Sequence, residues 1–400
     1  MRVTQASEQA QFLAQLDSLE SNISVTQNDI TSGDAYTEPS QDPTAAGEVD
    51  NYDQVLAQSQ QYSTNASAAQ GGLNTEDSAL TQVTSQLQSL RDLALEANSG
   101  TESTQNLSAI ATQVQQIQQS LLGLANTQDG NGNYIFGGYA TQTQPFALTA
   151  TGAAYSGDNG QNQVQIAAGQ TVASADNGNT VFNNILTGNG SFTVTANAAN
   201  TGSGLIGAAT VTDPTAYTAG DYAINFTTAD TYQVVNSTTN AVVTSGTYTS
   251  GQAISFNGTN INLTGTPAAG DSFAVTPSTN QSIFSTVQNL VTALQAANGT
   301  ATSSTQLSNS ITGAINDIGQ ALDQVATVQA SVGGRLNAIT TQLSVNTSQQ
   351  TQLQTTIASL QGLNIVSAYS TLEAQNTTLS AAMQAFTITQ GLSLFKYISG

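Results

Sequence analysis

Thirteen positions between Val55 and Ala97 recur in alternating steps of four and three: Val55, Ser59, Tyr62, Ala66, Ala69, Leu73, Glu76, Leu80, Val83, Leu87, Leu90, Ala94 and Ala97. That spacing keeps one edge of an α-helix largely apolar turn after turn, a sustained heptad pattern. Only other helices can cover a seam of this length. At about 1.5 Å per residue the helix would be about 70 Å long. Gly71-Gly72 is its weak point and the expected place for a kink. NSGTES (98–103) ends it, with Gly100 as the expected C-cap. Leu107, Ile110, Val114, Ile117, Leu121 and Leu124 form the next stripe, read as an antiparallel return.

Both chain ends carry the same kind of pattern. Phe12, Leu16, Leu19, Ile23 and Ile30 make one amphipathic stripe, and SGDAYTEPSQDP (32–43) breaks it because Pro39 and Pro43 cannot sit inside a helix. In the last third, Val287, Leu290 and Leu294 form a short stripe. Ile311, Ala314, Ile318, Ala321, Val325, Val328 and Val332 begin a long one that continues through Leu336, Ile339, Leu343, Leu353, Ile357 and Leu360. Asn346 and Gln350 occupy seam positions within it, which marks a change of partner or a polar joint between two bundles.

The stretch LNIVSAYSTLEAQNTTLSAAMQAF (363–386) aligns Ile365, Tyr369, Leu372, Leu379, Met383 and Phe386, with Leu394 beyond them. Its one obvious partner within the chain is the Phe12–Ile30 stripe, and two short helices make a thin core. Burial of apolar surface is worth about 25 cal/mol per Å², while ordering a backbone costs about 1–2 kcal/mol per residue. Both ends are therefore expected to be loose in a free chain and to order when other copies supply the missing surface. On this reading the assembly interface comprises Phe12, Leu16, Leu19, Ile23, Ile30, Ile365, Tyr369, Leu372, Leu379, Met383, Phe386 and Leu394.

Between the helical ends the composition turns to Gly, Thr, Asn and Val. The short runs YIFGGY, QVQIAA, SFTVTA, DYAINF, TYQVV, ISFNG, INLTG and SFAVTP read as strands separated by tight turns. The expected fold class is mainly α with inserted β: a long antiparallel helical bundle or coiled-coil rod of N- and C-terminal segments, a β-extension and a small outer β-domain. The expected divisions are 1–35 with 346–400 as a terminal coiled-coil assembly domain, 44–185 with 281–345 as a helical rod with a β-hairpin extension, and 190–279 as a variable outer β-domain.

The 400 residues include 25 acidic and only 4 basic ones, Arg2, Arg91, Arg335 and Lys396, for a formal charge of −21. Nucleic acid and anionic membranes are poor partners for such a chain. No apolar run approaches the roughly 20 residues that cross a bilayer. Without Cys or His there is no zinc site of the usual kind, no disulfide, no thiolate nucleophile and no His-based triad. The opening MRVTQASEQAQFLAQ lacks the continuous apolar stretch of a Sec signal peptide, so the expectation is a cytoplasmic protein or one exported by a route that reads another signal.

Sites of chemistry are equally scarce. DGNGNY (129–134) begins like a calcium loop but has Tyr134 and Ala140 where the pattern wants Gly and Glu. GSGLIG (202–207) matches G-x-G-x-x-G without a strand-then-helix setting. Asp17, Glu20, Asp29, Glu96 and Glu102 read as solvated helix faces rather than an acid–base pair. No enzyme activity and no cofactor are expected.

MRVTQASEQAQFLAQLDSLESNISVTQNDITSG, EPSQDPTAAG, the block LALEANSGTESTQNLSAIATQVQQIQQSLLGLANTQDGNGNYIFGGY, VQASVGGRLNAIT and GLSLFKYISG together resemble the bacterial flagellin superfamily. YSGDNGQNQVQIAAGQTVASADNGNTVF is similar to a β-segment of the superfamily's hook–filament junction branch, the third hook-associated proteins. The resemblance covers about 1–185 and 281–400. It departs from the family in charge: Asp34 stands where a basic residue is usual after the linker Ser-Gly, and Arg91 is nearly alone on the second helix. The resemblance implies a structural, non-catalytic flagellar component exported through the type III apparatus. It implies assembly with itself as a ring or helical turn, contact with a neighbouring hook-associated protein and with flagellin, and an export chaperone on the C-terminal helix. Competing readings are a flagellin-type filament subunit and a surface adhesin that uses residues 190–279.

Overall fold

The computed structural model describes residues 5–100 and 102–398, with side chains for 7–100 and 102–388. The chain opens with α1 (Gln5–Ser32), α2 (Pro43–Ala97) and α3 (Thr104–Ala125). Two hairpins follow, β1 (Phe146–Thr149) with β2 (Gly152–Tyr155) and β3 (Gln163–Ala167) with β4 (Gln170–Ala173). After a π-helical turn at Asn179–Asn183 come β5 (Ile185–Leu186), β6 (Phe192–Ala196), β7 (Leu205–Val211), β8 (Tyr222–Thr228), β9 (Thr231–Asn236) and β10 (Val242–Thr247). The strands end with β11 (Ala253–Phe256), β12 (Thr259–Thr264), β13 (Ser272–Pro277) and β14 (Asn280–Gln281), and α4 (Ile283–Ala296), α5 (Ala301–Gln361) and α6 (Ile365–Ile398) close the chain. The fold is thus mainly α with an inserted β segment, in the order the composition predicts.

The chain forms two compact units, Met1–Thr64 with Leu343–Gly400, and Asn65–Gln342. The boundaries fall inside α2 and α5.

In the larger unit the stripe of α2 from Ala66 to Ala97 is buried at every expected position, including Glu76. α2 runs unbroken through Gly71-Gly72. Gly72 has a different use: a Cβ there would stand 3.1 Å from the Ser174 carbonyl, so the glycine admits the β3–β4 arm against the helix. Gly100, with φ +74°, turns the chain after α2, and Ser103 caps α3 by accepting the Asn106 amide at 3.2 Å. Ile311, Ala314, Ile318, Ala321, Val325, Val328, Val332 and Ile339 of α5 are all buried.

A second, polar stripe of α5 holds the inserted β segment by its backbone. Gln306 donates to the Ala198 carbonyl at 2.7 Å, and Gln324 to that of Thr180 at 2.8 Å. Asn309 accepts from the Ile206 amide at 2.7 Å and donates to the Gly204 carbonyl at 3.0 Å. Asp317 accepts from the Gly188 amide at 2.7 Å, and Arg335 donates to the Ala173 carbonyl at 3.3 Å.

YIFGGY is not a strand. Gly138 adopts φ +69° and folds the segment into turns, which turns Phe136 inward. Phe136 packs edge-on against Phe182 at 5.1 Å, and Phe182 against Phe146 at 5.3 Å, so aromatic burial outweighs the β-propensity of the run. The outer region is a five-stranded antiparallel sheet in the order β10-β9-β8-β13-β6, with a three-stranded sheet β11-β12-β7. Ile224, Val234, Ile261, Leu263 and Phe273 are fully enclosed in their shared core. GSGLIG runs directly into β7, which is strand rather than a phosphate-binding loop before a helix.

Candidate assembly interface

The smaller unit holds the two chain ends. α1 and α6 lie antiparallel. Phe12 meets Phe386 near one end of the pair, and at the other Asp34 forms an antiparallel bridge with Gly362. The bridge is closed by the Ala35 amide on the Gln361 carbonyl at 2.6 Å and the Leu363 amide on the Gly33 carbonyl at 3.0 Å. The linker after α1 is therefore tied to the turn before α6. Asp42 caps the next helix by accepting the Thr44 and Ala45 amides at 3.1 and 3.0 Å. Pro43 takes the first helical position, where its missing N–H is not needed.

The covered seam is only partly the expected one. On α1, Ile23 is buried, and Phe12, Leu16, Leu19 and Ile30 are half-buried. On α6, Leu372, Leu379 and Phe386 are half-buried, and Ala368 is buried. With Gln375 and Ala382, both half-buried, these residues make an unbroken 4-3-4-3-4 stripe. Ile365, Tyr369 and Met383 lie outside that stripe and are 52%, 54% and 52% exposed. They join Val366, Ile388, Leu13 and Val25, which are also exposed. Leu394 lies in α6, but its side chain is outside the described residues. Spacing of large apolar residues alone passes over Ala368, Gln375 and Ala382 and so blends the covered seam with its exposed flank.

Further along the same unit the seam becomes polar. Asn346 and Ser59 are buried. Gln350 donates to the hydroxyls of Ser59 at 3.3 Å and Ser63 at 3.0 Å, linking α5 to α2. Beyond it Leu353, Ile357 and Leu360 are half-buried, and Val55 is exposed rather than part of a closed core. Asp29 is half-buried, not on a solvated face, and so is Glu102, which precedes α3 rather than lying on a helix.

Among the described residues, no group of three or more acidic side chains is placed to hold a metal, and no helix is long and apolar enough to cross a membrane. Asp129 of DGNGNY spends its carboxylate on its own turn, accepting the Asn131 and Asn133 amides at 2.8 and 2.9 Å.

The comparisons fall on these same elements. Residues 3–141 match the bacterial flagellin N-terminal helical region, and residues 195–277 match the D2-like domain of flagellar hook-associated protein 1. Flagellar hook-associated protein 3 of Salmonella typhimurium is 36% identical over 156 residues, which is 39% of this chain and 49% of that protein. The aligned part thus spans about half the length of that relative, and the same holds for the Escherichia coli protein of that name. The crystal structure of Xanthomonas campestris FlgL superposes with a TM-score of 0.72 at 34% identity, covering 77% of this chain and 99% of that one. That of the flagellar junction protein FlgL from Legionella pneumophila gives 0.72 at 28% identity, covering 79% and 100%. A flagellin-type helical start, paired chain ends and a match to nearly the whole of a solved relative converge on one conclusion: the chain belongs to the FlgL family of flagellar hook-associated proteins.

Proposed function

We propose that this chain is a junction adaptor of the bacterial flagellum, seated between hook and filament and held there by coiled-coil assembly of its terminal helices. The supporting observation is the α1–α6 pair, whose seam is covered on one side while Ile365, Tyr369 and Met383 stay exposed along its flank. Large apolar side chains left exposed along the edge of a half-covered helix pair are what a further molecule would cover. Family membership supplies the setting, and the names of the relatives match the role.

In this reading residues 1–35 and 346–400 form the assembly domain. Phe12, Leu16, Leu19, Ile23, Ile30, Leu372, Leu379 and Phe386 close the pair within a copy. Ile365, Tyr369 and Met383 face neighbouring copies, and Leu394, whose side chain lies outside the described residues, is assigned to the same interface on sequence alone. Residues 44–185 and 281–345 form the helical rod with its β-hairpin extension, and residues 190–279 form the variable outer β-domain. The neighbours are further copies of the chain, another hook-associated protein and flagellin, with an export chaperone on the C-terminal helix before assembly. The protein works outside the cell, exported through the flagellar type III apparatus, and no catalytic step belongs to it.

Deleting the encoding gene from a motile host tests the reading. Filament subunits should leak into the medium while hooks remain, and re-expression should restore filaments. Purified protein that polymerises alone into long filaments would instead make it a filament subunit. A saturable host or glycan ligand on residues 190–279 would favour an adhesin.

A further inference from the structure

One charged cluster in the larger unit has no part in the assembly reading. Glu76 is fully enclosed on α2, at a seam position where every neighbour in the stripe is small or apolar. Both its carboxyl oxygens face the Asp176 amide, at 3.2 and 3.3 Å. Asp176, itself buried, ends the segment that carries the β3–β4 arm back to the helices. Its carboxylate is paired with Arg335 of α5 and accepts a hydrogen bond from Gln161 at 2.6 Å. Arg335 also holds the Ala173 carbonyl at 3.3 Å. The arm touches α2 again where Ser174 passes Gly72 and where Asn65 donates to the Gln165 carbonyl at 3.0 Å.

The charge count of this site is uneven. The charges acting on Glu76 come from Asp176 on the arm and Arg335 on α5. Two carboxyl groups therefore lie in the field of one guanidinium, which is paired with Asp176, and the Glu76 carboxyl is shut away from water. Buried like charges at contact distance cannot both stay ionised at low cost, and a shared proton resolves the conflict. We infer that Glu76, Asp176 and Arg335 form a proton-operated latch, in which a protonated Glu76 holds the β3–β4 arm against α2 and α5 and opening of the arm releases that proton to solvent.

Burial first, and then the Asp176 charge, push the Glu76 carboxyl up from 4.5 to about 8, with Arg335 pulling the other way. In an open arm the carboxyl is hydrated and returns to its ordinary value. The closed state thus binds the extra proton. Its advantage is complete below pH 4.5, declines as pH rises, and levels off above about pH 8. The slope inside that window is at most a tenfold change in opening per pH unit. The latch is tightest in acid, the reverse of an ordinary salt bridge.

Hydrogen exchange of the full chain between pH 5 and pH 7.5, corrected for the intrinsic pH dependence of exchange, tests this. Opening of amides in 161–178 should rise up to about tenfold per pH unit, while the β8–β13 ladder stays unchanged. Glu76→Gln keeps the hydrogen-bonding shape without a titratable proton, and its arm should open equally at both pH values. Asp176→Asn removes the second cause of the raised carboxyl but leaves its burial, and should narrow the pH window without abolishing the slope. Carbon NMR of the carboxyl groups should show a carboxyl titrating near pH 8 that Glu76→Gln removes. A wild-type arm with no pH slope, or a slope that survives in Glu76→Gln, overturns the latch.

Discussion

Phe12 and Phe386 stack with ring centroids 5.0 Å apart and planes 5° from parallel, which joins the start of the described chain to its far end. Rings in such a pair contribute about 0.5–1.5 kcal/mol beyond the area they bury. Here the stack also fixes the register of α1 on α6. Phe386→Ala should weaken the pair by about 1–2 kcal/mol. Exchange protection of residues 8–30 in assembled protein should then fall by about tenfold, with Phe386→Tyr close to wild type.

A charge in the middle of the covered seam is a harsher change. Leu16 and Leu372 are half-buried on α1 and α6. An aspartate at either place must take its charge out of water or force the helices apart. Leu16→Asp and Leu372→Asp should each abolish assembly, judged by light scattering, while the outer β-domain keeps its exchange protection. Normal assembly by both variants would count against the seam.

The order of the terminal helices in a lone molecule is a separate matter. Among the described residues of α1 and α6, only Ile23 and Ala368 are buried apolar side chains. That is little burial to offset the ordering of two helices. In a verified monomer, hydrogen exchange at 1–35 and 365–400 should run near the unstructured rate, and it should slow sharply on assembly. Strong protection in the monomer would sink the idea that neighbours complete these helices.

Asn309 offers a test on the polar stripe of α5. It is buried and serves both the Ile206 amide and the Gly204 carbonyl. Asn309→Ala leaves both backbone groups unpaired out of water, at about 1–3 kcal/mol. The thermal midpoint should drop and exchange at β7 should rise first. Asn309→Asp keeps the acceptor but sets a buried carboxylate against the Gly204 carbonyl, and should be at least as destabilising as Asn309→Ala at neutral pH.

What was legible follows from which forces leave a period in the sequence. The α2 stripe from Ala66 to Ala97 and the α5 stripe from Ile311 to Val332 are buried as the spacing predicts, because long helices repeat one packing requirement many times. SFTVTA, DYAINF and SFAVTP alternate in burial as half-covered strands should. β7 and β10 are harder to see, since LIGAATV and VVTSGT carry Gly, Ala and Ser where alternation would be read. The backbone-holding residues of α5 leave no apolar signal. Gln306, Asn309 and Gln324 look like any solvated helix face until the strands they hold are in place. Glu76 shows the converse: its seam position was plain, but the two residues that make its burial tolerable are far away in sequence. At the chain ends, Ala368, Gln375 and Ala382 hide the true phase of the α6 seam behind larger neighbours.

The polar joint yields the last expectation. Ser59, Ser63 and Gln350 form a hydrogen-bonded layer between α2 and α5 where leucines would pack more firmly. Polar layers of this kind fix register at some expense of stability. Gln350→Leu alone removes both hydrogen bonds and sets an apolar side chain against hydroxyls, so it should lower stability by about 1 kcal/mol. Adding Ser59→Ala and Ser63→Ala should recover much of that loss, because the leucine introduced at position 350 no longer faces hydroxyls. If the layer sets register, the triple variant should be more heat-stable than Gln350→Leu alone yet assemble less faithfully than wild type, with a broadened distribution of oligomers by native mass spectrometry. Uniform oligomers from the triple variant would leave the layer with no such role.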